Sequence, residues 1–68
     1  MAKQIEIGKN VKKHRNKLGL SQEKFAKKSG VKYTTLTKIE SGVIKKPSVV
    51  VVAQIAKALG VSIEDLIK

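Results

Sequence analysis

The sequence predicts an all-α fold, five short helices packed as a compact bundle in a single domain over residues 1–68. Three observations lead there. Apolar residues recur at three- and four-residue spacing, not in alternation. Glycines and serines fall where such segments stop and start. A chain of 68 residues with no cysteine has room for one small core and no disulfide to brace it. A lone His14 with no thiol partner assembles no metal cluster, so neither a metal nor another cofactor is expected.

The first helix is expected over about Ile5–Lys17. Ile7, Val11, His14 and Leu18 share one face, lysines occupy the other, and Gly19 ends the segment. Ser21 is a suitable N-cap for a second helix, Gln22–Ser29, which turns Phe25, Ala26 and Ser29 inward and stops at Gly30. Only a tight turn fits before a third helix, Tyr33–Ser41. Leu36, Ile39 and Glu40 lie on one side of it, and Thr34, Thr37, Lys38 and Ser41 on the other. After Gly42 a loop with Pro47 leads to Ser48 and a fourth helix, Val49–Leu59. Four consecutive valines favour a strand by local preference. The Pro-Ser start, the spacing of 49, 52, 55/56 and 59, and the terminal Gly60 favour a helix, and a lone strand has no partner elsewhere. Ser62-Ile-Glu-Asp65 then resembles a capping box opening a short fifth helix that ends near Ile67.

The charge is strongly uneven. Fifteen Lys and Arg face five Asp and Glu, a formal net charge of +10. All of that excess lies in residues 1–47, and residues 48–68 are neutral. Such a field concentrates a polyanion, and neutralising phosphates with Lys and Arg supplies most non-specific nucleic-acid affinity. The plainer alternative is a lysine-rich solubilising surface, which the neutral C-terminal part does not share. The longest unbroken apolar run, Val49–Ala53, is far below the ~18 residues of a membrane span. The N-terminus lacks the apolar centre of a secretory signal. A cytoplasmic protein without membrane association is expected.

A short helix, a glycine turn and a second short helix in a basic chain make up the sequence form of a DNA-binding helix-turn-helix. The major groove, ~12 Å wide, admits one α-helix, which needs an apolar face behind and a polar face in front. The stretch LSQEKFAKKSGVKYTTLTKIESG (Leu20–Gly42), then KPS (Lys46–Ser48) and AKALGVSIEDL (Ala56–Leu66), resembles the phage-repressor/Cro-type, or xenobiotic-response-element-type, helix-turn-helix family. Five elements agree in order and spacing, from about Ile5 to Leu66.

The resemblance implies a lambda-repressor-like five-helix bundle whose second and third helices form the helix-turn-helix. It implies sequence-specific binding of double-stranded DNA by a transcriptional regulator, a repressor by expectation. Tyr33, Thr34, Thr37 and Lys38 match positions facing base edges, although Tyr33 has a second reading as an aromatic closing the core. Gln22 matches a phosphate-contacting position that also orients the reading helix. Lys32, Thr35, Lys45 and Lys46 are read as further phosphate contacts, which set register and salt dependence but not sequence. Arg15 and Glu40 match the family's largely buried ion pair, and Arg15 is the sole arginine of the chain.

The sequence departs from the family in two places. Lys32 stands where most members carry a capping Ser or Thr. A DNA phosphate taking the cap's place and simple drift explain it equally. Val50 and Val51 are the other departure. Val50, with Val61, Ile63 and Ile67, is read as an apolar patch for a second subunit, giving a homodimer that forms in solution or only on DNA.

The competing class is a protein-interaction module or antitoxin-like partner using the same fold. Catalysis is not expected, because no acid/base pair or nucleophile constellation can be drawn from these residues. No small-molecule ligand is indicated, and one Tyr and one Phe make no stacking platform for RNA.

Overall fold

A computed structural model describes residues 6–67, which form α1 (Ile7–Lys17), α2 (Gln22–Ser29), α3 (Tyr33–Ser41), α4 (Val49–Leu59) and α5 (Ile63–Ile67). No strand occurs among the described residues. Ile5, expected to begin the first helix, lies outside them; α1 is described from Ile7, with Glu6 at its N-cap.

Serine starts and glycine stops define most of the helix boundaries. Ser21 Oγ accepts the Lys24 N–H at 3.2 Å and Ser48 Oγ accepts the Val51 N–H at 3.2 Å, so each satisfies an orphan donor of the first turn. At α5 the box is reciprocal. Ser62 N donates to Asp65 Oδ2 at 3.1 Å and Asp65 N to Ser62 Oγ at 3.3 Å. The Ser48 cap decides the fate of the valine run, which is helical from its first residue. Gly30 adopts φ 78°, a left-handed conformation that ends α2 and swings the chain directly into α3.

All five helices contribute to one core. Val11, Phe25, Leu36, Ile39, Ile55 and Leu66 are completely buried, and Ile7, Ala26, Val31, Val52, Ala56 and Leu59 surround them. Each large apolar side chain so buried stabilises the fold by roughly 1.5–3 kcal/mol.

Three expectations about facing are corrected. The inward face of α1 is Ile7, Gly8, Val11 and Arg15; His14 is only half-buried, and Leu18 is 46 % exposed just past the helix end. The stripe is rotated because α1 comes so close to α3 at Gly8 that an added Cβ would fall onto the Ile39 carbonyl oxygen and lie 3.2 Å from that of Glu40. Val49, expected on the inward face of α4, is 76 % exposed in the first turn. Val61, expected in a surface patch, is half-buried and packs against the core.

Candidate nucleic-acid interface

The anchoring of α3 determines what the rest of the helix can present. Leu36 and Ile39 are fully buried. Around them on the helix, Thr34, Lys38 and Ser41 are exposed, Tyr33 is 46 % exposed, and Thr35 and Thr37 are half-buried. Thr37 Oγ1 donates to the Thr34 carbonyl at 2.8 Å. Its proton is therefore committed to the helix, and what it offers outward is lone pairs and a methyl group. Tyr33 flanks a shallow hollow with Glu23, Ala26, Lys27, Val31 and Lys32 at the turn, so it stands beside the α2–α3 junction and does not close the core.

The two ends of α3 are treated differently. At its start, Lys32 makes no side-chain cap and no acidic residue occupies the first turn. At its end, Glu40 is 3 % exposed in its side chain and forms a two-pronged ion pair with Arg15. Arg15 Nε donates to Oε2 at 2.8 Å and Nη2 to Oε1 at 2.9 Å. The remaining guanidinium nitrogen, Nη1, donates to the Leu20 carbonyl at 2.7 Å. This fork geometry is what a buried carboxylate requires, since a lone buried charge is strongly unfavourable. Arginine therefore links α1, the α1–α2 turn and the end of α3.

Gln22 enters the same network: its Nε2 donates to Glu40 Oε1 at 3.1 Å. Its amide is thus turned toward Glu40. One N–H of the NH₂ group remains for a further acceptor. Lys45 and Lys46 are exposed in the loop after α3, with no ion pair among the described residues. That loop folds back on the helix, Ile44 N donating to the Lys38 carbonyl at 3.0 Å.

Beside this loop runs an apolar groove of about 730 Å³, walled by Ile7, Ile44, Val49, Val52, Ile63 and Ile67 with Lys45 and Lys46 at its edge. Of the residues expected in a dimer patch, Ile63 and Ile67 line it. Val50, 68 % exposed, lies elsewhere on α4. The contribution of Val49 was missed in the sequence because its spacing matches the buried stripe.

Among the described residues, no group of three or more His, Cys, Asp or Glu could hold a metal, and no helix is long and apolar enough to cross a membrane.

The helix-turn-helix family model matches residues 11–66. An uncharacterized HTH-type transcriptional regulator of Methanothermobacter thermautotrophicus is 40 % identical over 57 residues, 82 % of this chain and 81 % of the relative. The N-terminal DNA binding domain of SinR from Bacillus subtilis superposes with a TM-score of 0.89 at 31 % identity, over 91 % of this chain and 90 % of that one. SinR in complex with DNA gives the same TM-score and identity, over 91 % and 98 %. The restriction-modification controller protein C.AhdI from Aeromonas hydrophila superposes with a TM-score of 0.84 at 28 % identity, over 93 % and 94 %. With its buried Arg15–Glu40 brace, its outward threonine–lysine strip and these matches along nearly its whole length, the chain belongs to the Cro/C1-type helix-turn-helix family of sequence-specific DNA-binding transcription regulators.

Proposed function

We propose that this protein is a cytoplasmic, non-enzymatic repressor that seats α3 in the major groove of its operator. The observation that supports this reading is the outward strip Thr34–Thr37–Lys38 on a helix pinned from behind by Leu36 and Ile39. Lys38 donates to guanine N7 or O6. Thr34 hydrogen-bonds a base edge, and Thr37 accepts a hydrogen bond or touches a thymine methyl. Tyr33 reaches the base edges nearest the α2–α3 turn. Lys32, Thr35, Lys45 and Lys46 hold phosphates, together with the spare amide N–H of Gln22. A phosphate beside Lys32 supplies the anion that the uncapped start of α3 lacks.

The protein works as a homodimer on half-sites ~34–36 Å apart, one turn of the duplex. The groove lined by Val49, Ile63 and Ile67 is the apolar surface for the second subunit. Repulsion between two chains of +10 opposes that dimer in free solution, and DNA relieves it.

Selection from random duplexes at two salt concentrations tests the reading. Enrichment of a two-fold symmetric site with centres about 10 base pairs apart is expected, and Lys38→Ala should relax the preference at one position by about 1–3 kcal/mol. Recovery of no preferred sequence would overturn it in favour of a protein-interaction module, the reading that the same groove would then support.

A further inference from the structure

The reading strip carries only part of the positive charge. α1 presents Lys9, Lys12, Lys13 and Lys17, all exposed, and of these only Lys9 has an ion pair among the described residues, with exposed Glu6 at 3.3 Å. At 100° per residue these four, with exposed Asn16, cluster opposite the buried face of Ile7, Gly8, Val11 and Arg15. That buried face rests on α3, with Gly8 against the backbone of Ile39 and Glu40 and Arg15 on the Glu40 carboxylate. The lysine stripe therefore points away from the side on which α3 presents Thr34 and Lys38.

The stripe only partly suits the helix, since Lys17 in the last turn complements its dipole while neighbouring lysines repel one another. Lys9 and Lys13, and Lys13 and Lys17, are like charges at i, i+4. The first turn has no acidic residue, and no side chain caps it. Because the apolar face of α1 lies in the core, no greasy stripe remains to enter a lipid surface. Lys9 to Lys17 spans about 12 Å of helix axis at 1.5 Å per residue. A duplex carries one negative charge per ~1.7 Å of its own axis, about seven over that length.

We propose that the α1 stripe is a second duplex-binding face, through which operator-bound protein captures another DNA segment without regard to its sequence. The protein then bridges two duplexes, one read by α3 and one held by Lys12, Lys13 and Lys17 with Lys9.

Lysine acetylation read by mass spectrometry tests this, using an operator selected from random duplexes and a 20-base-pair duplex of unrelated sequence. With stoichiometric operator, Lys38, Lys45 and Lys46 should be protected while Lys12, Lys13 and Lys17 react as in the free protein. An excess of the second duplex should then protect the stripe. Capture of labelled second duplex on operator-loaded beads should fall between 50 and 200 mM salt by about 40-fold for phosphate contacts from Lys12, Lys13 and Lys17, and by about 150-fold if Lys9 adds a fourth. The variant K12Q/K13Q/K17Q should lose that capture while keeping operator affinity within about threefold, because long-range charge alone contributes little at these salt concentrations. Protection of the stripe by operator alone would overturn the proposal, as would a stripe that still reacts freely under excess second duplex. A triple variant that captures like the parent would also overturn it. So would single-stranded RNA displacing the second duplex at equal phosphate, since the face would then serve RNA.

Discussion

α3 and α4 are built on opposite terms. α4 begins on Ser48, whose hydroxyl satisfies the Val51 N–H, ends on Gly60, and buries Val52, Ile55, Ala56 and Leu59. α3 begins on Lys32 with no cap, has no acid in its first turn, and buries only Leu36 and Ile39. It is held from outside, by Arg15 on Glu40 and by the close seat of Gly8 on its last turn. Buried apolar residues and the N-terminal cap are concentrated in α4. α3, the helix proposed to meet DNA, shares a left-handed glycine stop with α4 but lacks a cap at its start, and its last turn leans on Arg15 and Gly8.

The sharpest way to break this contrast is Arg15→Ala, which leaves the Glu40 carboxylate buried without its cation. A loss of about 3–5 kcal/mol is expected, larger than for any lysine-to-alanine change. Thermal melts of the full set check it, and equal losses would refute the dependence of α3 on that brace. Gly8→Ala should cost about 1–3 kcal/mol in urea unfolding, since its methyl group must displace the Ile39 carbonyl. Ser48→Ala and Lys32→Ser form a matched pair. The first removes a cap from α4 and should lower stability by about 1 kcal/mol. The second gives α3 the cap it lacks and should raise stability by a similar amount while weakening operator binding. If Lys32→Ser left binding unchanged, the phosphate at the start of α3 would be wrong. The smallest effect is expected at Lys45→Ala, which should reduce the slope of log affinity against log salt by about 0.9 with sequence preference intact.

Much of this architecture was legible in the residues. The bounds of α2, α3 and α4 follow from Ser21, Gly30, Gly42, Ser48 and Gly60, because caps and left-handed stops act locally and need no tertiary information. The outward strip of α3 follows from its period. What could not be read is the set of contacts made by residues that look like surface. The resemblance implied the Arg15–Glu40 pair, but Gly8 carries no apolar signal, and its close seat against the backbone of Ile39 and Glu40 could not be read from the sequence. Val49 fits the buried period of α4 but sits in its first turn, where the neighbouring loop leaves a groove open. Gln22 is read from the resemblance as a phosphate contact that also orients the reading helix, and no sequence pattern shows that its amide reaches Glu40 where α2 approaches the end of α3. These outcomes depend on how helices cross, and a one-dimensional pattern does not record crossing.

One tie at the edge of the core reaches further than its size suggests. Asn10 Nδ2 donates to the Leu66 carbonyl at 2.7 Å, joining α1 to the last turn of a five-residue helix. A segment that short holds no helical structure by itself. It persists because Leu66 is sunk in the core and Asn10 clasps the backbone beside it. Ile63 and Ile67 ride on that segment, so one wall of the apolar cleft hangs from an amide latch, and its opening would register as early deuterium uptake across residues 63–67.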